Sequence, residues 1–479
     1  MVFNSFAFAL LFVVTLVLNY SIPARYRVGL LLCSSSIFIG FYHLGFLAVA
    51  LGIATLSFLL GRWIDSKKEE KTRMYVFRIS VFSHLILLGF FKYIGFLDQN
   101  IGYLIQLVGG NYSSLLTDIF LPLGISFYTF QSISYLVEIY WEEIEPEKSY
   151  TDFLLYMLFF MKFLSGPIER PQDFIPQLKQ KLEFDYEKVS FGVKLMCIGF
   201  FKKLVIADRL APVLNDVFGS VQDYSGAQLL MATLLYPLQL YADFSGYTDI
   251  AIGGASMLGF QLSPNFNRPF LAKSITDFWR RWHMSLSFWV RDYIYEPLAA
   301  EKRYWGIWGI LFSLFVTFIL LGLWHGGNWN FVIYGAIQGL VICYEMKFGS
   351  LRKRFGQWFP NSVRSFYGVV RTYLIFSFSL LFFRLAEFSD VAYMIQNFGA
   401  GIQTNLHELN LGLFDHDLIV LAVAVVLMFS YESANARVDL LRWLDQKPAK
   451  LRWACYYAMV IIIFAFGEFG TKDFIYFQF

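Results

Sequence analysis

Charge is what this 479-residue chain has least of: only 16% of its residues are Asp, Glu, Lys or Arg. A soluble domain carries about 25%, so the shortfall excludes a chain that meets water over its whole surface. Cysteine is scarce as well. Cys33, Cys197, Cys343 and Cys455 lie far apart, each within an apolar segment, which excludes a disulfide framework and a Cys-x-x-Cys or metal cluster. They read as small core residues. The 39 basic and 36 acidic residues leave a formal net charge of +3, so nothing points to nucleic acid as a partner. No Gly-rich phosphate loop or Gly-x-Ser-x-Gly elbow stands where its chemistry would work. A fixed-period repeat is also missing. The first apolar run, 6–18, has neither a basic region before it nor a small-residue cleavage site close after it. It reads as a retained span and not as a cleaved signal.

What fills these gaps is hydrophobic (57%) and aromatic (20%), with Phe alone at 54 residues. Such a composition matches an all-α polytopic membrane protein, and one membrane-embedded domain, 1–479, can hold the whole chain. Apolar runs at 2–20, 28–42, 45–60, 74–97, 119–140 and 153–164 predict helices that cross or enter the bilayer. So do runs at 305–323, 331–344, 365–383, 418–431 and 453–467, for about 11–12 embedded helices in all. The segment 62–73 carries Arg62, Lys67, Lys68, Lys71 and Arg73, whereas 98–118 has no Lys or Arg. The positive-inside rule places the first in the cytoplasm and the second outside. Counting back through three spans puts the N-terminus outside. The basic stretches at 347–354 and 437–452 and the Lys/Arg-free 386–417 put the C-terminus outside too. The expectation is a multi-pass protein of the cell membrane. Its parts are N-terminal helices over 1–164, a core with broken helices over 165–346, C-terminal helices over 347–467 and an aromatic tail over 468–479.

Within that core, 165–303 alternates short apolar pieces with prolines, glycines and paired charges. Broken helices at membrane depth are tolerated only where they are buried in protein or line a cavity, so this region is expected to wall an internal site. Beside it, residues 320–330 read Leu-Leu-Gly-Leu-Trp-His-Gly-Gly-Asn-Trp-Asn between two apolar runs. His325 therefore lies near membrane depth, where an ionisable group is costly and usually has a task. Gly322, Gly326 and Gly327 permit close approach, and Trp324, Asn328 and Trp329 would supply walls and hydrogen bonds. A helix-ending histidine satisfied by a carbonyl is the plainer alternative.

Three further constellations stand out. In 276–292, helical spacing puts Trp279, His283 and Ser287 on one face, with Arg280, Ser287 and Arg291 alongside and Asp277 able to neutralise Arg280 or Arg281. This reads either as an interfacial amphipathic helix or as a basic rim that binds a phosphate-bearing donor. Asp243 and Asp249 sit in an apolar stretch, where buried acids are rare unless paired or working. Asp243 would orient a histidine, bind a sugar hydroxyl or pair with a buried arginine such as Arg209. The tail ends in Phe-Ile-Tyr-Phe-Gln-Phe. It reads as an aromatic belt anchor, although the eight residues to Tyr476 could stretch roughly 25 Å, enough to fold back into the bilayer. His43, His84, His407 and His416 lack such surroundings and read as loop or interfacial residues.

Together, Phe-Leu-Ser-Gly-Pro-Ile-Glu-Arg at 163–170, Asp-Phe-Ser-Gly-Tyr-Thr-Asp at 243–249, Phe-Trp-Arg-Arg-Trp-His-Met-Ser-Leu-Ser at 278–287 and Leu-Trp-His-Gly at 323–326 resemble the membrane-bound O-acyltransferase family. The likeness is to the bacterial branch serving alginate and other cell-envelope polysaccharides, with the teichoic-acid D-alanylation protein more distant. It runs from the first span to the terminal aromatic motif. The resemblance implies a helical ring around a central funnel, with His325 as the residue on which activity depends and His283 as its partner. It also implies acyl transfer, most commonly of acetyl, from a cytoplasmic thioester such as acetyl-CoA or an acyl carrier protein. The donor is a substrate, and no resident cofactor or metal is expected. A periplasmic or extracellular acetyltransferase- or esterase-like partner would place the group on an exported polysaccharide. Tyr476 matches the tyrosine thought to relay the acyl group.

On this reading His325 is general base toward the accepting hydroxyl, suited by an ordinary imidazole pKa of about 6.5. His283 would orient the donor or steady developing charge. Arg280, Arg281 and Arg291 would attract donor phosphates, supported by Asp243, Trp324 and Asn328. The rival class is a transporter or flippase for a lipid-linked or small polar substrate, which the same broken middle would suit.

Overall fold

The computed structural model describes residues 1–114, 121–164, 166–356, 358–400, 411–412 and 414–470, and every regular element among them is helical. Among the described residues, six helices are long and apolar enough to cross a bilayer: Leu44–Asp65, Glu70–Leu107, Ile307–His325, Asn361–Arg384, Asp415–Asn435 and Ala449–Phe466. Shorter apolar elements include Phe6–Ser21, Arg27–Gly40 and Ile125–Tyr140. The chain is an all-α, multi-pass membrane protein.

Two predicted spans differ from their hydropathy outlines. The run at 74–97 is part of a 38-residue helix, Glu70–Leu107, which continues through Asp98. At 1.5 Å per residue it is about 57 Å long. Asp98 does not break it because its two carboxylate oxygens accept hydrogen bonds from Tyr112 Oη and, at 2.6 Å, Ser114 Oγ. The run at 153–164 divides at Phe159, whose φ of −51° and ψ of 113° separate Tyr150–Leu158 from Phe160–Phe163.

Chain contacts define two compact units. The first comprises Met1–Val189, Gly254–Ser263 and Trp324–Gly327. Its interior is dominated by fully buried rings such as Phe38, Phe153, Phe159, Phe160 and Phe174, and Phe174 stacks on Phe260 with centroids 5.5 Å apart. Lys162, 1% exposed, lies over the faces of Tyr156 (4.6 Å) and Phe174 (5.1 Å). Glu169, equally buried, takes Ser263 N–H at 2.6 Å and Ser263 Oγ at 3.1 Å. Both charges belong to the 162–170 segment that ends the broken span. His84 is neither a loop nor an interfacial residue, as its sequence context suggests. It is 1% exposed inside Glu70–Leu107 and bonds Ser57 Oγ and Ser80 O, each at 2.8 Å. Three hydroxyls, those of Ser57, Ser132 and Ser83, cluster near this ring, a polarity that hydropathy averages away.

In the connection at 141–149, Glu147 accepts from Lys179 Nζ at 2.7 Å and from the N–H groups of Lys148 (2.8 Å) and Ser149 (2.9 Å). Burial pushes this carboxyl up, but Lys179 and the two amides outweigh burial and hold it below the ordinary carboxylate value.

The second unit comprises Ser190–Gly253, Pro264–Leu323 and Asn328–Phe479. Its helices approach closely at glycines. A Cβ on Gly199 would lie 2.6 Å from Gly246 O, and one on Gly322 would lie 2.3 Å from Phe331 O and 3.0 Å from Gly335 Cα. Gly322 is therefore a helix-crossing residue and not a gap for substrate. A π-helical segment, Phe201–Ala207, carries two adjacent buried lysines. Lys203 Nζ meets Asp208 Oδ1 at 2.8 Å and Asp243 Oδ1 at 2.6 Å, while Lys202 Nζ meets Asp249 Oδ2 at 2.9 Å. Asp243 thus pairs with Lys203 and not with Arg209. Arg209 is held by Asp417 and by Glu468 at 3.2 Å. Paired charges of this kind lower the cost of ions away from water, although they are weak evidence for stability by themselves.

Candidate active site

His325 is the last residue of the helix Ile307–His325 and is 6% exposed. A helix leaves its final four carbonyls without intrahelical partners. One of them, Trp324 O, accepts from Lys92 Nζ, which also lies 3.5 Å from Ser126 Oγ and 5.5 Å from the Trp324 ring centroid. The amine that reaches this helix C-terminus comes from the middle of Glu70–Leu107. The Trp324 indole stacks on Phe130 (5.5 Å, 23°) and meets Phe127 edge-on (5.9 Å). The His325 imidazole sits 4.7 Å from the same indole. Gly327 is needed because a Cβ there would fall 2.8 Å from Phe96 Cβ. Lys92 is the residue that motif reading missed. Its signal was a lone lysine at the centre of an apolar run, which is itself a functional hint.

The residues after Gly327 are occupied structurally. Asn328 caps the helix Trp329–Lys347 by accepting Asn330 N–H at 2.8 Å, and its amide donates to Ala386 O at 3.0 Å. Trp329, the first residue of that helix, is 60% exposed.

His283 has a different setting. The single helix expected over 276–292 is in fact two, Ile275–Trp279 and Met284–Val290, joined by a short turn. His283 caps the second with φ 43° and ψ 55°, the left-handed region that non-glycine residues enter at a cost. Trp279 and His283 consequently do not share one helical face. The indole of Trp279 instead donates to Gln338 Oε1 at 3.0 Å. His283 is 1% exposed, its Nδ1 is 3.1 Å from Asn265 Oδ1, and its ring meets Phe244 edge-on at 4.8 Å. Asp243, one residue before Phe244, is engaged by Lys203 as described.

The expected basic residues divide. Arg281 Nε pairs with Asp277 Oδ1 at 2.9 Å, so of the two arginines Asp277 neutralises Arg281. Arg291 Nε pairs with Asp292 Oδ1 at 2.6 Å and Glu296 Oε1 at 3.6 Å and lies over Phe288. Arg280 is exposed, and among the described residues no carboxylate engages it. It is the one of the three left to meet an anion. Tyr476 lies outside the described residues. The described residues contain no group of three or more His, Cys, Asp or Glu placed to hold a metal.

The site therefore presents a buried imidazole at the end of an apolar helix, with a lysine amine on the carbonyl of the residue before it. Residues 143–386 match the membrane-bound O-acyltransferase (MBOAT) family, and the chain belongs to that family and is an O-acyltransferase. It is 34% identical over 448 residues to the probable alginate O-acetylase AlgI of Azotobacter vinelandii, covering 91% of this chain and 86% of that protein. The Pseudomonas aeruginosa protein of the same name is 34% identical, with 90% and 81% covered. The peptidoglycan O-acetyltransferase of Helicobacter pylori is 30% identical, with 69% and 66% covered.

Proposed function

We propose that the protein takes an acetyl group from a cytoplasmic thioester, acetyl-CoA or an acyl carrier protein, and passes it across the cell membrane for O-acetylation of an exported or cell-surface polysaccharide. The observation that carries this reading is the setting of His325: buried, at the end of an apolar helix, beside a lysine at membrane depth. The names of the relatives, which act on alginate or peptidoglycan, support a cell-envelope polymer as the final acceptor.

His325 is the general base. Its imidazole takes the proton of the accepting hydroxyl as that oxygen attacks the thioester carbonyl. The new C–O bond forms, the C–S bond breaks and the proton passes to the departing thiolate, giving ester and free thiol. A thioester is already activated, so holding the reactants in place supplies much of the acceleration. Arg280 draws in the phosphates of the donor. Tyr476 is the first acceptor, forming an acyl-tyrosine from which an acetyltransferase- or esterase-like partner outside the cell completes transfer to the sugar. Both termini are external in this scheme.

Purified protein given acetyl-CoA labelled in the acetyl group tests the reading directly. Label on protein or acceptor, or release of free CoA, is the expected result. If no thioester donor is consumed while the protein stays folded, the proposal is wrong.

A further inference from the structure

Asn265 lies in the irregular stretch between the helices Gly226–Met257 and Ile275–Trp279 and is 1% exposed. Three groups converge on its side-chain oxygen: Ser285 N–H at 3.2 Å, Ser285 Oγ at 2.9 Å and His283 Nδ1 at 3.1 Å. The first of these decides the chemistry of the others. A backbone N–H only donates, so the amide atom facing it is the oxygen, and the ring atom facing that oxygen must carry hydrogen. A neutral imidazole has a single N–H. With it on Nδ1, the lone pair is on Nε2.

The backbone holds the same corner. Asn265 O accepts Met284 N–H at 2.8 Å, and Asn267 N–H donates to Arg281 O at 2.9 Å. These two bonds bracket His283 and maintain its φ of 43°, a conformation that persists only where the surroundings over-determine it.

We infer that Asn265 is a positioning residue that fixes His283 in the Nδ1–H tautomer, so that His283 meets the substrate as a hydrogen-bond acceptor through Nε2. This rests on the acyltransferase reading of His283 and selects between its two expected roles. Neutral His283 in this form has no Nε2–H to offer an oxyanion, so it orients the substrate and does not steady the developing charge. The thiol arms of coenzyme A and of carrier-protein thioesters both contain amide N–H groups, which gives Nε2 a partner common to either donor.

The tautomer is readable without turnover. Full-length protein in detergent, labelled with ¹⁵N-histidine, is examined above pH 7.5 by long-range ¹H–¹⁵N correlation, with His283→Gln used to assign the resonance. Wild type should show a protonated Nδ1 and an unprotonated Nε2. In Asn265→Leu the preference should be lost or reversed, with kcat/KM for acetyl-CoA down about 10- to 100-fold, carried by KM at least as much as by kcat. Asn265→Asp keeps an acceptor opposite Nδ1 and should keep the tautomer and recover most of the lost efficiency. An unprotonated Nδ1 in wild type overturns the inference. So does folded Asn265→Leu with wild-type kcat/KM. If Asn265→Leu fails to fold, the wild-type spectrum and Asn265→Asp decide. A wild type with Nδ1–H that consumes no thioester would leave the tautomer intact and remove the acyltransferase role instead.

Discussion

His325 and His283 are both buried imidazoles on short pieces of irregular or helix-ending backbone, yet they are held by unlike means. His325 ends 19 residues of continuous apolar helix and packs on a neighbour that is itself anchored, by a lysine on the Trp324 carbonyl and by the Phe127 and Phe130 rings on the Trp324 side chain. His283 stands between helices of five and seven residues, in a left-handed conformation, and its own ring is gripped by an amide oxygen. The first arrangement fixes where an imidazole is and the second fixes which nitrogen carries its proton. A base needs the former above all, because its protonation state must change during turnover. A residue that orients substrate needs the latter.

The sharpest way to break this distinction is to remove each ring. His325→Ala should lower acetyl transfer about 10²- to 10⁴-fold, the usual worth of a general base, at unchanged expression, whereas His283→Ala should cost less and raise KM for the donor. Equal losses with unchanged KM would erase the difference. Lys92→Met tests the His325 side alone. It removes the Lys92 hydrogen bond to the Trp324 carbonyl, a penalty of about 1–3 kcal/mol, read as a lower melting temperature in detergent together with a fall in kcat.

Arg280→Ala addresses the other side. Losing one exposed cation should raise KM for acetyl-CoA about threefold to tenfold, less at high salt, with kcat unchanged. An acyl donor without phosphates should be indifferent to the change. The smallest effect belongs to Glu147, which is remote in role from either histidine and serves as the control. Its carboxyl is held below the ordinary value in the folded protein, so its contribution to stability is present above that value, about 4.3, and fades as pH falls through the lower folded value. Glu147→Gln should therefore melt below wild type at pH 7 and converge with it in acid. Activity relative to wild type should not change.

The same contrast explains what the sequence made legible. The apolar runs announced most of the long helices, because long stretches with little charge admit few alternatives in a bilayer, but not the 32-residue Gly226–Met257, which runs unbroken inside the region expected to hold only broken helices. His325 was visible for the same reason, as a titratable group at the edge of such a run. The turn at 280–283 was not visible: Trp279, His283 and Ser287 keep helical spacing in the sequence, and only tertiary contacts from Asn265 and Asn267 break the helix. The partner of Asp243 was missed because Lys202 and Lys203 are adjacent in the sequence, and only the folded helix shows that each takes different carboxylates. Lys92 was hidden by averaging, since one lysine barely alters the hydropathy of a long window.

The helix Glu70–Leu107 adds a constraint of another kind. Even leaning at 40°, the upper end of ordinary tilts, a rod of about 57 Å rises roughly 44 Å along the membrane normal, against a hydrocarbon layer of about 30 Å. About a dozen of its residues therefore lie beyond the hydrocarbon at every such inclination, at one end or shared between both. Single cysteines placed along this helix would report, by their reaction with aqueous thiol reagents, where it leaves the hydrocarbon.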